Sequence, residues 1–407
     1  MMSAYSVLKR RLLIVCDPYG KPSFGPRIRY LSNYLHRKGW EIDVYTEQWD
    51  ELCFEHAYPI TEIAIYRGQR GSLLYKIDWT IKSIWSLLTD WKNRYFCRSV
   101  RKLTQGKTFD AILCTTFSTF PLPAAQALAS AMRLPLYCDL RDIDEQVGGT
   151  QYQQHRNWWA LPFRKWYSAV QIRRRNNAIR QAKMLTTISP WHVDFLKQFH
   201  PSVHLIYNGF DPSIHYFKPI STERFIISYL GRLYKPTSQD PTLLMQALGE
   251  IAHEMPELQL LIHTDANGQE RLRDMTTKYG VKADIHGYVS IDEVPELYRK
   301  SSICLVFSNK ATGDGPKGMM TTKFFEIAGS EKPLLLVRSD EAHLAEAIRN
   351  TNTGLAAENK EEIIRFIGEK YSEWQQHGFT HQPINKDAVS LFNREVESAQ
   401  FEQLLLS

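Results

Sequence analysis

The chain has 407 residues, of which 43% are hydrophobic and 23% are charged, and its formal net charge is +6 at pH 7. This composition is ordinary for a globular protein, and the length leaves room for two domains. No apolar run approaches the roughly 20 residues of a membrane-spanning helix, and the six cysteines form no C-x-x-C pair. We therefore expect a cytoplasmic protein with buried thiols, without a disulfide framework or a zinc site.

The first elements in chain order predict a β-loop-α-β unit. Residues 11–16 (RLLIVC) form a continuous apolar run, which is typical of a strand buried in a parallel sheet. A loop rich in glycine and proline leads to a helix from about Arg27 to Gly39, and a second strand follows at 41–46. Because ligands bind at the loop after such a strand, Gly25 and Arg27 are candidate substrate-binding residues. The loop lacks G-x-G-x-x-G, which disfavours a nicotinamide-type site.

An apolar stripe with steps of three and four residues comes next and predicts an amphipathic helix. Its members are Leu74, Ile77, Ile81, Ile84, Leu88, Trp91 and Tyr95, and basic residues flank them. We expect this stripe to pack against the domain core. The alternative is a surface that meets an anionic bilayer or a lipid-linked acceptor.

Two further apolar strands, 109–115 and 136–140, precede the sequence DLRDID. Its Asp142 and Asp144 form a D-x-D pair, and two carboxylates so close together could bind a divalent metal ion. So short a motif often arises by chance. For Asp139, Arg141 and Asp142, which follow the same strand, the simplest interpretation is a helix N-cap with a local ion pair. We expect no metal site here.

A basic and aromatic segment follows, because no acidic residue lies between Glu145 and Asp194. Arg173, Arg174 and Arg175 fall within it, among several tryptophans and tyrosines. Such a mixture suits a membrane interface or stacking on nucleic acid. Nothing else in the chain resembles a nucleic-acid module, so we favour an anionic membrane surface and expect no nucleic-acid partner.

The second half contains a candidate phosphate site between 313 and 337. A glycine-rich loop there leads to a helix that starts near Thr322 and carries Lys323 and Glu326. The amides and the positive dipole end of such a helix suit a phosphate, and Glu326, one turn beyond Lys323, could bind the two hydroxyls of a ribose. The alternative is an ordinary loop, helix and strand with solvated charges.

The same stretch resembles a known family. KFFEIAGSEKPLLL is similar to the K-L/F-F/Y-E-x-x-A-x-G-K/R-P segment of family 4 glycosyltransferases. Residues 24–46 resemble the opening of these enzymes, residues 139–142 their D-F/L-R-D, and residues 231–233 their G-R-L. The resemblance implies the α/β GT-B fold, in which two Rossmann-like domains face an interdomain cleft, and a retaining reaction.

The resemblance also implies roles for individual residues. Gly231 and Arg232 would bind the donor diphosphate together with Lys323 or Lys235. In the N-terminal half, Asp139, Arg141 and Asp142 would contact hydroxyls of the sugar or of the acceptor. By this comparison Arg232, Lys323, Asp139 and Asp142 are the candidate catalytic residues.

One departure from the family pattern concerns its E-x7-E motif. The first glutamate, which would hold the donor sugar, is replaced by Gly318. We expect backbone amides from Asp314 to Met319, including those of Gly315 and Gly318, to take its place.

These observations predict an N-terminal acceptor-side domain at 1–215, a nucleotide-sugar domain at 216–375 and a C-terminal segment at 376–407 that returns to the first domain. The predicted activity is a hexosyltransferase-like transfer that needs neither metal nor cofactor. Its donor would be a nucleotide sugar, and its acceptor a glycan or a lipid-linked intermediate at the inner face of the cell membrane. The alternatives are a sugar-nucleotide epimerase of GT-B shape and a non-catalytic scaffold of polysaccharide assembly.

Overall fold

The structure is a computed structural model that describes residues 10–20, 25–48, 56–117, 119–147, 161–214, 218–234, 239–310 and 317–407. The chain divides into two compact units, Met1–Tyr207 with Ser398–Ser407, and Asn208–Glu397. The division falls after Tyr207, whereas the sequence predicted a boundary after residue 215. Of the predicted C-terminal segment, residues 398–407 group with the first unit and residues 376–397 with the second.

The first unit contains a parallel sheet with helices on its faces. Its strands, within the described residues, are β1 (Arg11–Cys16), β2 (Glu41–Glu47), β3 (Ile60–Ile63), β4 (Ala111–Thr116), β5 (Leu136–Leu140), β6 (Met184–Thr187) and β7 (Val203–Leu205). The helices are α1 (Gly25–Arg37), α2 (Leu73–Thr89), α3 (Trp91–Leu103), α4 (Leu122–Met132), α5 (Leu161–Ile179) and α6 (Pro190–Leu196). The strand order is β3-β2-β1-β4-β5-β6-β7, with every neighbouring pair parallel.

The second unit repeats this design. Its described strands are β8 (Phe225–Leu230), β9 (Leu258–His263), β10 (Ala283–His286), β11 (Ile303–Phe307), β12 (Leu334–Val337) and β13 (Gly354–Ala357). They lie in the order β10-β9-β8-β11-β12-β13, again all parallel. Its helices are α7 (Thr242–Ile251), α8 (Ala266–Tyr279), α9 (Val294–Lys300), α10 (Thr322–Gly329), α11 (His343–Thr351), α12 (Lys360–His377) and α13 (Lys386–Ser390). The last helix, α14 (Arg394–Leu406), begins in this unit, and its residues from Ser398 onward group with the first unit.

Each sheet has one position where the strand order changes direction. In the first sheet this lies between β1 and β4, and in the second between β8 and β11. Loops at the carboxyl ends of such a strand pair diverge to opposite faces of the sheet and leave a crevice for ligands. The two Rossmann-like halves that the sequence predicted are therefore confirmed, and each has its own candidate binding crevice.

The central strands are apolar throughout because helices cover both of their faces. In β1, Leu13 and Val15 belong to one buried cluster, whereas Leu12, Ile14 and Cys16 belong to the cluster on the other face. The second of these clusters also contains Phe401 and Leu405 from α14. Four of the cysteines, Cys16, Cys114, Cys138 and Cys304, are buried free thiols, as expected.

Helix α2 does not pack as the sequence predicted. Leu74, Ile77, Ile81, Ile84 and Leu88 are all at least 50% exposed, and Leu87 is the one residue of this helix that is buried. The core-facing interpretation of the stripe is therefore wrong for these five residues, whereas Trp91, at the start of α3, does pack against the core. None of the helices among the described residues is both long enough and apolar enough to cross a membrane.

The basic run of α5 also differs from the expected exposed cluster. Arg175 is buried, and its guanidinium donates to both carboxylate oxygens of Glu145, at 2.7 and 2.8 Å. Arg174 is half-buried and bonds the backbone of α2. Only Arg173 of the three is exposed, so the triple arginine is largely structural.

Candidate active site

In the second unit, the crevice between β8 and β11 holds a lysine directly above a glycine. Gly231 follows β8 with φ +131, a conformation that favours glycine. A Cβ at this position would lie 2.4 Å from Lys323 Cε and 2.8 Å from its Nζ. The Lys323 ammonium also lies 5.4 Å from the centroid of the Tyr229 ring. The absence of a side chain at Gly231 therefore lets the lysine cross the end of β8.

Lys323 and Glu326 are neighbours on the first two turns of α10, and neither is fully solvated. Burial lowers the pKa of Lys323, and the nearby charge of Glu326 only partly opposes this shift. Burial also raises the pKa of Glu326, against the charges of Arg394 and Lys323. The positive end of the helix dipole destabilises a half-buried cation in the first turn, so a bound anion would stabilise this position strongly. The alternative of solvated surface charges does not fit this burial.

Arg232 lies beside this pair on the loop after β8. Its Nε is 3.5 Å from an oxygen of Asp265, and its guanidinium lies 5.3 Å from the Tyr234 ring centroid. The side chain is 55% exposed, so most of its guanidinium N–H groups are accessible to a ligand. Arginine in such a position can bind a phosphate through two parallel hydrogen bonds.

The loop before α10 is described only in part. Gly318 is buried with φ +59, so a glutamate at this place would have to adopt a strained backbone. Met319 is half-buried and lies three residues before α10 begins at Thr322. Lys235, Asp314 and Gly315 lie outside the described residues, and their proposed contacts stay predictions.

In the first unit, Asp139 is enclosed by protein partners. It is 2% exposed at the end of β5 and accepts two hydrogen bonds from Arg27, at 3.1 and 3.3 Å. The hydroxyls of Thr115 and Thr186 donate to its two oxygens, at 2.9 and 2.8 Å. Burial alone would raise the pKa of Asp139, but Arg27 and the hydroxyl of Thr186 outweigh it and hold the pKa below its usual range.

This geometry gives Asp139 and Arg27 a structural role in place of the predicted contact with substrate. Arg27 is 6% exposed, and besides Asp139 it bonds the carbonyl of Tyr207 and lies 5.1 Å from the Phe401 ring centroid. A carboxylate with four donors has no remaining capacity for a sugar hydroxyl.

The other predicted residues of the first unit lie close by. Arg141 is buried and its guanidinium lies 4.9 Å from the Phe117 ring centroid, while Asp142 is half-buried. A Cβ on Gly25 would lie 2.6 Å from the carbonyl oxygen of Tyr19, so this glycine serves the close packing of its own loop.

The remaining aspartate of the D-x-D pair, Asp144, accepts a hydrogen bond from Ser168 at 3.0 Å. Among the described residues, no group of three His, Cys, Asp or Glu side chains could hold a metal ion.

Sequence reasoning missed Asp17, which lies in the crevice of the first sheet. It directly follows β1, and one of its oxygens accepts hydrogen bonds from the Thr116 hydroxyl and the Phe117 amide, both at 2.9 Å. Burial raises the pKa of Asp17 to about 6, although these bonds and the charge of Lys92 oppose it. Its position directly after the first apolar strand was the signal that could have identified it.

Comparison with known proteins agrees with this architecture. A search of curated proteins found no match. Among solved structures, Anabaena HepE in complex with UDP and glucose is 16% identical, with a TM-score of 0.64 over 97% of this chain and 99% of that chain. A glycosyltransferase from Rickettsia africae is 14% identical, with a TM-score of 0.63 over 98% of each chain. A UDP-N-acetylglucosamine 2-epimerase is 13% identical, with a TM-score of 0.52 over 98% of this chain and 95% of that chain.

At these identities the likeness is one of fold, and it defines the class: an α/β protein of the GT-B type with two Rossmann-like halves. The family follows from the sequence. A model of Glycosyltransferase Family 4 matches residues 26–214, and a model of Glycosyl transferases group 1 matches residues 224–371. The chain therefore belongs to the glycosyltransferases that combine a family 4 domain with a group 1 domain.

Proposed function

We propose that this glycosyltransferase moves a hexose from a nucleotide sugar to an acceptor hydroxyl, with retention and without a metal ion. The observation that carries the proposal is Lys323, half-buried at the start of α10 and held across Gly231 in the crevice of the second sheet. A nucleoside diphosphate would place further negative charge beside Lys323, whose burial the charge of Glu326 only partly offsets. Complexes of HepE contain UDP and UDP-glucose, which makes uridine nucleotides the first donors to test.

In this reaction the main task of the protein is to stabilise the negative charge that develops on the leaving diphosphate. As the bond between the sugar and the diphosphate breaks, its electron pair moves to the phosphate oxygen, and the acceptor oxygen bonds the anomeric carbon. The acceptor proton passes to the leaving phosphate. Lys323, Arg232 and the amides at the start of α10 stabilise the growing negative charge, and Glu326 binds the ribose hydroxyls.

The acceptor belongs to the first unit in this proposal. Asp17 and Asp142 are our candidate contacts for it, because both are half-buried, whereas Asp139 is buried. A glycan or lipid-linked intermediate of polysaccharide synthesis, at the inner face of the cell membrane, is the class of acceptor that we propose.

Calorimetric titration with UDP tests the nucleotide site. Arg232→Ala should weaken UDP binding by roughly 2 kcal/mol or more, because a charged hydrogen bond is lost. Arg273→Ala, at an exposed arginine on α8 of the same unit, is the matched control and should bind UDP like the wild type. Equal UDP affinity in Arg232→Ala and the control would exclude this crevice as the diphosphate site.

Turnover with a panel of UDP-sugars separates the proposed transferase from its alternatives. UDP release that depends on added acceptor supports transfer, whereas an altered sugar with free nucleotide and no acceptor is the result for an epimerase. Binding without any turnover is the result for a scaffold. Transfer should survive EDTA; loss of activity that Mn²⁺ or Mg²⁺ restores would contradict the metal-free mechanism.

A further inference from the structure

Helix α2 is attached to the first unit by its polar side. Asp78 accepts a hydrogen bond from the amide of Arg67 at 2.8 Å, and it forms an ion pair with Lys82 at 2.7 Å. The Lys82 ammonium in turn donates to the carbonyl of Ile65 at 2.9 Å. These contacts anchor the face of the helix on which amphipathic helices usually meet water.

The end of α2 is fixed by a cation from another helix. Arg174 of α5 donates to the carbonyls of Ser86 and Leu87, at 3.1 and 2.8 Å, and pairs with Asp90 at 3.3 Å. A helix end leaves its last carbonyls unsatisfied, and an arginine there both bonds them and complements the dipole. Contacts along α2 and at its C-terminal end thus hold the polar side of the helix against the first unit.

The apolar side of α2 faces solvent as a consequence. Seven large side chains lie within an arc of about 120° on this side, at 100° per residue. They are Leu73, Leu74, Ile77, Ile81, Ile84, Trp85 and Leu88, and each is between 50 and 74% exposed. An apolar surface of this size on a soluble domain marks an interaction site.

The charges around this helix favour an anionic partner. Residues 67–102 contain nine lysines and arginines but only two acidic residues, Asp78 and Asp90. Both aspartates are already engaged in the ion pairs with Lys82 and Arg174. The exposed cations of this region include Lys76, Arg94, Arg98, Arg101 and Lys102.

We propose that the apolar face of α2 docks the protein on an anionic lipid surface, with the helix lying in the plane of the bilayer interface. A continuous convex apolar face flanked by cations has the composition of an interfacial helix, with Trp85 able to lie at the headgroup level. If the partner were instead a protein, it would need a groove shaped to receive α2 and acidic groups to pair with the flanking cations. This inference goes beyond the proposed sugar transfer and does not depend on it.

Sedimentation with vesicles tests this surface on the full-length chain. The wild type should sediment with vesicles of two parts phosphatidylcholine to one part phosphatidylglycerol, and not with pure phosphatidylcholine, and salt should weaken binding. Ile81→Gln/Ile84→Gln should lower the partition coefficient at least about tenfold, because two apolar side chains leave the bilayer. Its thermal unfolding should match the wild type, since these side chains face solvent.

Ile291→Gln/Leu391→Gln is the matched control, because both residues are 57% exposed but lie in the second unit. This variant should bind vesicles like the wild type. Wild-type protein that stays in the supernatant at low salt would overturn the proposal, as would equal binding by the two double variants. If the wild type is dimeric by sedimentation velocity and Ile81→Gln/Ile84→Gln is monomeric, the face binds a second copy and the lipid proposal is wrong.

Discussion

The buried pair of Arg27 and Asp139 can be tested by removing one charge at a time. Asp139→Asn keeps the shape of the side chain but leaves the arginine cation buried without its counter-charge. Breaking a buried ion pair in this way costs about 3–5 kcal/mol. For a unit of this size we expect the melting temperature to fall by roughly 6–20 °C. Asp274→Asn, at an exposed aspartate, is the control and should change stability by less than about 0.5 kcal/mol.

A double-mutant cycle then separates the pair from its surroundings. Arg27→Met/Asp139→Asn removes both charges, so its loss of stability should be smaller than the sum of the two single losses. Thermal unfolding followed by circular dichroism measures all four proteins. Strictly additive losses would mean that the two side chains stabilise the unit independently.

The pH dependence gives a further check on the same pair. Because the native pKa of Asp139 lies below its usual range, the carboxylate stabilises the fold above that usual range, and this contribution is lost as the pH falls through the lower native value. The difference in stability between wild type and Asp139→Asn should therefore shrink in acid. If Asp139→Asn instead keeps wild-type stability at all pH values but loses glycosyl transfer, Asp139 acts on substrate and the structural role is refuted.

Two other substitutions test the crevices of the two sheets. Gly231→Ala should weaken UDP binding about tenfold or more in calorimetry, because its Cβ would meet Lys323 and its φ of +131 is strained for alanine. Gly368→Ala is the control, because the space around its Cβ is open. Equal UDP affinities of the two variants would contradict the proposed path of the Lys323 side chain. Asp17 has a native pKa raised to about 6, so it lowers stability progressively as the pH rises from about 4 to 6. Asp17→Asn, which still accepts from the Thr116 hydroxyl, should therefore raise stability at pH 7 by on the order of 2 kcal/mol and leave it nearly unchanged at pH 4; thermal melts that shift in parallel at both pH values would show that its charge is not the cause.

Local patterns were sufficient for much of the fold and the nucleotide site. Apolar runs located the central strands, since burial on both faces leaves no room for polar residues in them. The glycine after β8 and the charged start of α10 are likewise local features, and the structure brings Gly231 and Lys323 into contact.

Tertiary partners decided what the sequence could not. Periodicity shows which face of α2 is apolar, but not which face the domain occupies; that depends on Arg174, which lies 88 residues from Ser86. From the sequence, Asp139 resembles a substrate-binding residue, because its pairing with Arg27, 112 residues away, is visible only in the structure. The burial of Arg175 likewise depends on Glu145, the last acidic residue before the basic segment.

The placement of Ser398–Ser407 in the first unit has a consequence for the order of folding during synthesis. Phe401 and Leu405 complete the cluster on one face of the first sheet, and Glu402 accepts hydrogen bonds from Tyr34 and Trp40. These residues leave the ribosome only after the whole second unit has been made. Domains usually fold as they emerge, N-terminal ones first. We therefore expect the N-terminal unit to complete this hydrophobic cluster only after the second unit has been synthesised, so that its core would be the later of the two to close.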